Sequence, residues 1–593
     1  VSGGITWKEL KDLDLAGIEA AADGWRESSN RASAARDRVD SEMTSKLRDT
    51  QEGEAEKAAL RRLRRLRDNF QYIYVECGMV RTALDGLAKE LKPQQKLLQN
   101  ALEEAENLKF TVHPDGRVSY PSEGQEVDGK KPAAGSVSGA STFLSEMESD
   151  TRAIMDRNPY RVLAQDIADR IAKSLKQAGA VDSEYSNAIQ KLKTRPGVDV
   201  SDAMWMDAYQ DSTATRKAAD GYLDREDIPR FYKTEERKEW WDGLSKEDRE
   251  RFLTLFPEEI GNLNGIPSEV RDAANRTHLP MLMAKLENSD DEQDQAKLQG
   301  LEAIQKKLQE GSDPPMYLLG IGDEGNGRAI VSYGNPDTAK NVSTYVPGTG
   351  AGLDEAFAGS DLQRAHDTVK AAQKYDPSSA SIAWLGYDAP QFPANDFFAN
   401  LDVMRADKAE NGAGELNGFM AGLDTTSQRH DPHLTAIGHS YGSLTVGVAG
   451  QREGGIPGAD DIVLVGSPGT GADNAEELGV GREHVFVGAA ENDLVTKLPT
   501  KEEGVGYLFG GFGGYSVGDF ISDDDDTWFG ANPASEEFGA RRFKVEDGPE
   551  PILSGGVPAH SNYFDPQKDP TATANIAAIV ADRHDLVVED KPR

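Results

Sequence analysis

Cysteine is almost absent from this chain: Cys77 is the single thiol in 593 residues. That excludes an intrachain disulfide and a cysteine-ligated zinc centre. Long apolar runs are missing as well. No stretch approaches the ~18 residues that span a bilayer as a helix. The first thirty residues lack the basic, apolar, small-residue order of a secretory leader, so the expected location is the cytoplasm, with leaderless export as the alternative. Positive charge is scarce: Lys and Arg total 66 against 102 Asp and Glu, a formal net charge of −36. Phosphate recognition is driven by cation contacts, so this balance argues against nucleic acid and anionic membrane as partners. The basic run Arg61, Arg62, Arg64, Arg65 and Arg67 reads as the solvated face of a helix. Hydrophobic residues make up 37 % before the 59 glycines are counted. With glycine the share is near that of ordinary globular proteins, so the chain can bury a core, and its length predicts more than one domain.

The first part of the chain reads as long helices. Thr6 followed by Glu9 is a capping box that opens one. Leu15, Ile18, Ala22, Trp25, Ala32, Val39 and Met43 then keep a helical spacing. A second helix carries Leu63, Leu66, Phe70, Ile73, Cys77, Val80, Leu84, Leu87 and Leu91 in alternating steps of three and four. This is a heptad stripe that predicts a buried coiled-coil seam against the first helix, folded back near Thr50 to Glu54. Cys77 lies on the stripe and reads as core. Pro93 is expected to kink or restart the second helix. The expected organisation is a helical hairpin over 1–112, a linker or small ribbon over 113–142 with a turn at Pro114-Asp115-Gly116, and a helical middle region over 143–310.

From about residue 311 the texture changes. Short apolar runs near 316–321, 329–333, 342–346, 381–386, 434–438, 462–465, 485–487 and 542–545 alternate with helical stretches near 354–374, 394–420, 442–451 and 571–582. Such alternation predicts an α/β domain with a mostly parallel sheet covered on both faces. Its sites belong at the carboxyl ends of the strands.

The fifth of these runs leads into Gly438-His439-Ser440-Tyr441-Gly442. A G-x-S-x-G between strand and helix is the setting of a nucleophile elbow, where a sharp turn presents the serine and the glycines let backbone approach. A serine nucleophile needs a histidine base and an acid that orients it, in the chain order Ser, acid, His. His484 opens a strand and so lies at the wrong end of the sheet, and His584 lies beyond the last helix. His560, in a loop after the final strand, is the expected base. Asp493, at the end of a strand, is the expected acid, with Glu491 as its rival; Asp519 and the run Asp523–Asp526 read as solvated. The oxyanion donors are expected from the Tyr441 N–H and from Thr349 or Gly350 in the loop Val346-Pro-Gly-Thr-Gly. That loop lacks the spacing of a dinucleotide or P-loop motif, so no cofactor is implied, and the chemistry calls for no metal. Asp388 either lines the pocket or caps a turn. Tyr507, Phe509, Phe512 and Tyr515 alternate with glycines and form either an apolar lid or a plain insertion.

Six blocks in order carry a family resemblance: Val-Pro-Gly-Thr-Gly at 346–350, Trp-Leu-Gly-Tyr-Asp-Ala-Pro at 384–390, Gly-His-Ser-Tyr-Gly-Ser at 438–443, Gly-Ser-Pro-Gly at 466–469, Phe-Gly-Ala-Arg-Arg-Phe at 538–543 and His-Ser-Asn-Tyr-Phe at 560–564. Residues from about 315 to 590 resemble a family of α/β-hydrolases of high-GC Gram-positive bacteria. The resemblance implies a serine hydrolase of esterase or lipase type and matches Ser440 and His560. At the acid the family more often reads Asp-Pro-Val, where this chain has Asp493-Leu-Val. The helical front end resembles type VII secretion hairpins. Its turn reads Gln51-Glu52-Gly53, without their Trp-x-Gly, and Tyr72–Glu76 matches their Tyr-x-x-x-Glu signal only within the heptad stripe.

The expected activity is cleavage of a partly apolar small-molecule carboxylic ester through an acyl-enzyme. Acyl transfer or peptide cleavage by the same residues is the alternative, as is a non-catalytic interaction protein. The N-terminal helices are expected to serve packing, self-association or delivery to a secretion partner.

Overall fold

The structure, a computed structural model, describes residues 5–50, 52–126, 130–139, 157–193, 199–391, 406–497, 526–550 and 558–592. The chain forms two compact units, Val1–Ile228 and Pro229–Arg593. The helical region expected over 143–310 is divided between them.

In the first unit the capping box forms as expected. The Glu9 N–H donates to Thr6 Oγ1 at 3.3 Å and the Thr6 N–H donates to Glu9 Oε2 at 2.8 Å. The helix it opens, α1 (Trp7–Asp12), is short because Asp14 caps a new start by accepting from the Gly17 N–H at 2.9 Å. α2 (Leu15–Arg38) passes through a wide turn at Val39–Thr44 into α3 (Ser45–Thr50). The chain reverses at Gly53, whose φ of 97° suits glycine. It then returns as α4 (Glu54–Asn107). Ser29 Oγ donates to the Tyr74 carbonyl and Gln95 Nε2 to that of Leu10, so the chain runs out and back as a hairpin. β1 (Thr111–Val112), β2 (Val118–Tyr120) and β3 (Gly135–Val137) make a small antiparallel ribbon, with its first turn at Gly116.

Two expectations are corrected here. α4 runs unbroken through Pro93. Leu91 and Leu98, on either side of the proline, are buried in a core with Ala164, Ile167 and Ile171 of α5 (Tyr160–Lys191). That burial holds the helix together across one missing N–H. The heptad stripe, moreover, is not a single buried seam. Cys77 and Leu91 are buried, Leu66 is exposed, and the remaining six positions are half-buried. The cause is that α4 has several partners: α2, α5 and α6 (Asp202–Ala218) pack around it and bury Val75, Met79 and Ala83, which lie off the stripe.

The second unit opens with five helices, α7 (Thr234–Gly243), α8 (Lys246–Leu255), α9 (Pro257–Asn262), α10 (Ser268–Glu287) and α11 (Glu292–Glu310). The sheet follows, with β4 (Met316–Gly322), β5 (Arg328–Tyr333), β6 (Asn341–Val346), β7 (Ser379–Leu385), β8 (His433–His439), β9 (Ala459–Val465) and β10 (Val485–Gly488). A short hairpin, β11 (Asp526–Thr527) with β12 (Gly530–Ala531), precedes the last strand, β13 (Arg541–Arg542). All eight expected strands are present, in the order β13-β10-β9-β8-β6-β7-β5-β4. β4 and β5 are antiparallel, and β6 to β10 with β13 run parallel. Every residue of β6 and β7 is buried, as a sheet covered on both faces requires. The covering helices are α12 (Leu362–Ala372), α13 (Asp407–Thr426), α14 (Tyr441–Gly450) and α15 (Pro570–Val580).

α9 and α10 have a distinct task. β4 is an edge strand, and an open edge invites pairing with another chain. Here polar side chains occupy it. Asn262 bonds both the N–H and the carbonyl of Ile321, at 3.1 and 2.9 Å. Asp272 accepts from the Leu318 N–H at 2.6 Å, and Asn275 donates to the Leu318 carbonyl at 2.9 Å. The irregular Gly-Asn-Leu-Asn-Gly stretch at 261–265 belongs to this cover.

Candidate active site

Register places the candidate residues at one end of the sheet. Val346 of β6 pairs with Gly438 of β8, and His439 pairs with Val465 of β9. Ser440 directly follows β8 and precedes α14, with φ 56° and ψ −131°. A positive φ at a serine is strained backbone, and here its surroundings leave no alternative. The Ser440 N–H donates to the Val465 carbonyl at 3.1 Å. A β-carbon on Gly442 would come within 2.2 Å of the Val346 carbonyl, and one on Gly438 within 2.6 Å of Ser443 Cα. These glycines allow the turn to close. Gly348 crosses in front of it, its β-position 2.5 Å from Ser440 Cβ and 3.0 Å from Oγ.

Asp493 and His560 meet here too. Asp493 follows β10 and is fully buried. His560 stands on a single 3-10 turn, Pro558–Ser561. Its Nδ1 lies 2.9 and 3.1 Å from the two carboxylate oxygens of Asp493. A carboxylate accepts only, so Nδ1 carries the hydrogen and Nε2 is left as the basic nitrogen. Burial raises the carboxyl's pKa, but His560, Tyr563 and the Val495 N–H outweigh it and hold Asp493 below the ordinary value. The Tyr563 hydroxyl donates to Asp493 Oδ2 at 2.6 Å and accepts from the Ala490 N–H at 3.1 Å. Glu491, the rival acid, pairs instead with Lys497 at 2.6 Å and is largely exposed. Gly466 seals the arrangement: its β-position is 2.8 Å from His560 Nδ1, 3.0 Å from Asp493 Oδ2, and its φ is 59°.

Behind this group lies a buried polar stack. His439 Nε2 donates to the His560 carbonyl at 2.9 Å, and the two rings stack 4.7 Å apart. Burial, then the charges of Arg364 and His560, push the His439 pKa well below its ordinary value, so the ring is neutral. Its Nδ1 faces the Tyr345 hydroxyl at 3.4 Å. That hydroxyl accepts from Arg364 at 2.7 Å and donates to Asp361 at 2.8 Å.

The oxyanion candidates divide. The Gly350 N–H donates to the Pro390 carbonyl at 2.7 Å, which commits it elsewhere. Thr349 remains in the loop beside Ser440, and Tyr441 begins α14. Asp388 holds a loop in place: it accepts from the Asn326 N–H at 3.0 Å and pairs with Lys408. Tyr507, Phe509, Phe512 and Tyr515 lie outside the described residues, as do Asp519 and Asp523 to Asp525. Sequence reasoning passed over Tyr563 and the reach of His439. Tyr563 stands three residues after His560, beyond the end of that 3-10 turn, and no sequence pattern marks it.

A family described as alpha/beta hydrolase matches residues 323–502. That span includes Ser440 and Asp493 and ends before His560. An uncharacterized protein of Mycobacterium tuberculosis is 29 % identical over 489 residues, covering 75 % of this chain and 70 % of its own length. An uncharacterized protein of Mycobacterium bovis is 40 % identical over 191 residues, 32 % of this chain and 66 % of its own length. Together with the strand order and the elbow, the family match makes the C-terminal part an α/β-hydrolase domain, preceded by a long helical region.

Proposed function

We propose that this protein is a serine hydrolase acting on carboxylic esters. Ser440 Oγ attacks the ester carbonyl as His560 Nε2 takes its proton, and Asp493 holds the imidazole by Nδ1 and stabilises the charge it acquires. The alkoxide leaves with the proton from His560. Water, deprotonated by the same nitrogen, then releases the acid from Ser440. The Tyr441 N–H and the Thr349 N–H bind the oxyanion. Gly350 is left out, because its N–H is spent on Pro390. The observation that supports this reading is a histidine fastened through Nδ1 to a buried carboxylate, with its carbonyl bonded to His439, the neighbour of the strained Ser440.

The test is covalent labelling with a fluorophosphonate probe, comparing the natural chain with Ser440→Ala and His560→Ala. The natural chain is expected to label and both variants to fail. An unlabelled natural chain would turn the reading toward a non-catalytic interaction protein. A chain-length series of nitrophenyl esters then measures the acyl pocket, and matched amide and acyl-acceptor substrates separate hydrolysis of esters from peptide cleavage and acyl transfer.

A further inference from the structure

At the opposite end of the sheet, three of the chain's nine histidines gather on one carboxylate. His433 opens β8, Asp461 lies in β9, His484 precedes β10, and His584 follows α15. Asp461 is fully buried. His433 Nε2 stands 3.0 Å and His584 Nε2 2.7 Å from the same oxygen, Oδ2. His484 Nδ1 stands 2.8 Å from the other oxygen, Oδ1. Among the described residues no lysine or arginine pairs with Asp461. As they stand, both Nε2 atoms face the carboxylate as N–H donors, and His433 Nε2 also faces the Ile579 carbonyl at 3.2 Å; a metal ion would take the place of the hydrogens on the carboxylate side.

We propose that His433, Asp461 and His584 bind a zinc ion. Two imidazole nitrogens and a carboxylate oxygen are a donor set suited to zinc, with water completing a tetrahedron. Zinc bonds of ~2.0–2.1 Å at tetrahedral angles separate the donor atoms by about 3.3 Å. The three donor atoms here lie within 4.8 Å of one another, and their nitrogen–oxygen separations of 2.7 and 3.0 Å need to open by only a few tenths of an ångström. An outer set of groups orients the ligands, as metal sites require. His484 holds the free carboxylate oxygen, and Asp460 stands 3.7 Å behind His433 Nδ1. The His484 side chain is 47 % exposed and that of His584 22 %, which opens a path from solvent.

The ion is structural. His433 and Ser440 are seven residues apart along β8, roughly 23 Å at ~3.3 Å per residue. Zinc here ties the turn after α15 to β8 and β9, at the far end of the sheet from the candidate active site.

The full chain, stripped with a chelator and dialysed against buffered zinc chloride, tests this by elemental analysis, thermal unfolding and the visible spectrum of the cobalt(II)-loaded protein. The natural chain is expected to hold about one zinc. Its unfolding temperature should rise by several degrees on loading, and the cobalt form should show intense tetrahedral bands. His584→Ala, in an accessible turn, should lose all three responses while keeping the circular dichroism of the stripped natural chain. His433→Ala should behave alike, and His484→Ala should weaken zinc by about 10–100-fold. Substoichiometric zinc in the natural chain, or zinc held equally by His584→Ala, would overturn the proposal. Should His433→Ala fail to fold, His584→Ala and the cobalt spectrum decide.

Discussion

Tyr563 gives its hydroxyl hydrogen to a carboxylate that is already buried and already bound to a histidine. Hydrogen bonds to charged groups contribute about 1.5–3 kcal/mol. Tyr563→Phe leaves His560 and the Val495 N–H on Asp493, so kcat/KM for a nitrophenyl ester is expected to fall by about tenfold with KM little changed. Tyr563 is one of the groups that lower the Asp493 pKa. Without it the carboxyl takes up its proton at higher pH, so the acid limb of the pH–rate profile should move upward; an unmoved limb would assign Tyr563 to packing alone. Gly466→Ala is the sharper test. The new methyl would sit 2.8 Å from His560 Nδ1 at a φ of 59°. The imidazole must shift, and activity is expected to drop by about 100-fold or more, since misplacement by an ångström is that costly, while circular dichroism stays native. At this scale Ser440, Asp493 and His560 were legible because motif and chain order mark them. Tyr563 and the His433–Asp461–His584 group were not. Their partners lie far apart along the chain: Tyr563 and His584 sit in turns that only the fold brings to Asp493 and Asp461.

α4 shows what periodicity can and cannot say about an element. Nine apolar residues in heptad steps identify a helix, and a helix is what forms. They do not say which face is buried, because a helix with several neighbours has no single inside. The off-stripe face instead carries Glu76, which is buried. Burial, reinforced by the like charges of Asp211 and Asp207, pushes its pKa up to about 8. An unfolded glutamate titrates near ~4.3. Between those values the folded state keeps a proton that the unfolded state has released. Stability of the first unit therefore falls as pH rises through that window, by up to about 1.4 kcal/mol per pH unit. Cys77, the single thiol and itself buried, reports opening. Labelling of Cys77 should accelerate from pH 5 to pH 8 more in the natural chain than in Glu76→Gln. Because the Glu76 charge also bears on the Cys77 thiol, each rate is divided by that of the same chain unfolded in urea at the same pH, which removes the thiol's own titration. Parallel rates would place Glu76 in contact with water.

For the whole molecule, the sequence marked the hydrolase region by its strand–helix alternation, and all eight strands follow. It did not mark where the second compact unit begins. The helices from 234 to 310 look like the charged helices before them, yet they belong with the sheet. The reason is the β4 edge. Asn262, Asp272, Asn275 and Arg276 bond the outward N–H and carbonyl groups of Met316, Leu318 and Ile321. Side chains that bond one strand's edge have no periodic signature. A chain that starts at Pro229 should therefore unfold cooperatively and remain in solution. A chain that starts at Ser312 keeps every strand of the sheet but loses the cover, and an exposed edge strand aggregates. The point variants separate edge bonding from loss of core. Asn262→Ala removes both bonds to Ile321 and Asp272→Ala removes the acceptor for Leu318, each costing about 1–3 kcal/mol if the backbone groups are left unsatisfied. Urea midpoints should fall in each single variant and further in the double. Light scattering on warming should rise in the double variant before the bulk of the helix signal is lost. Scattering that rises only after the helices melt would mean that the apolar face of α10, and not the side chains on the β4 edge, keeps this sheet from pairing with another.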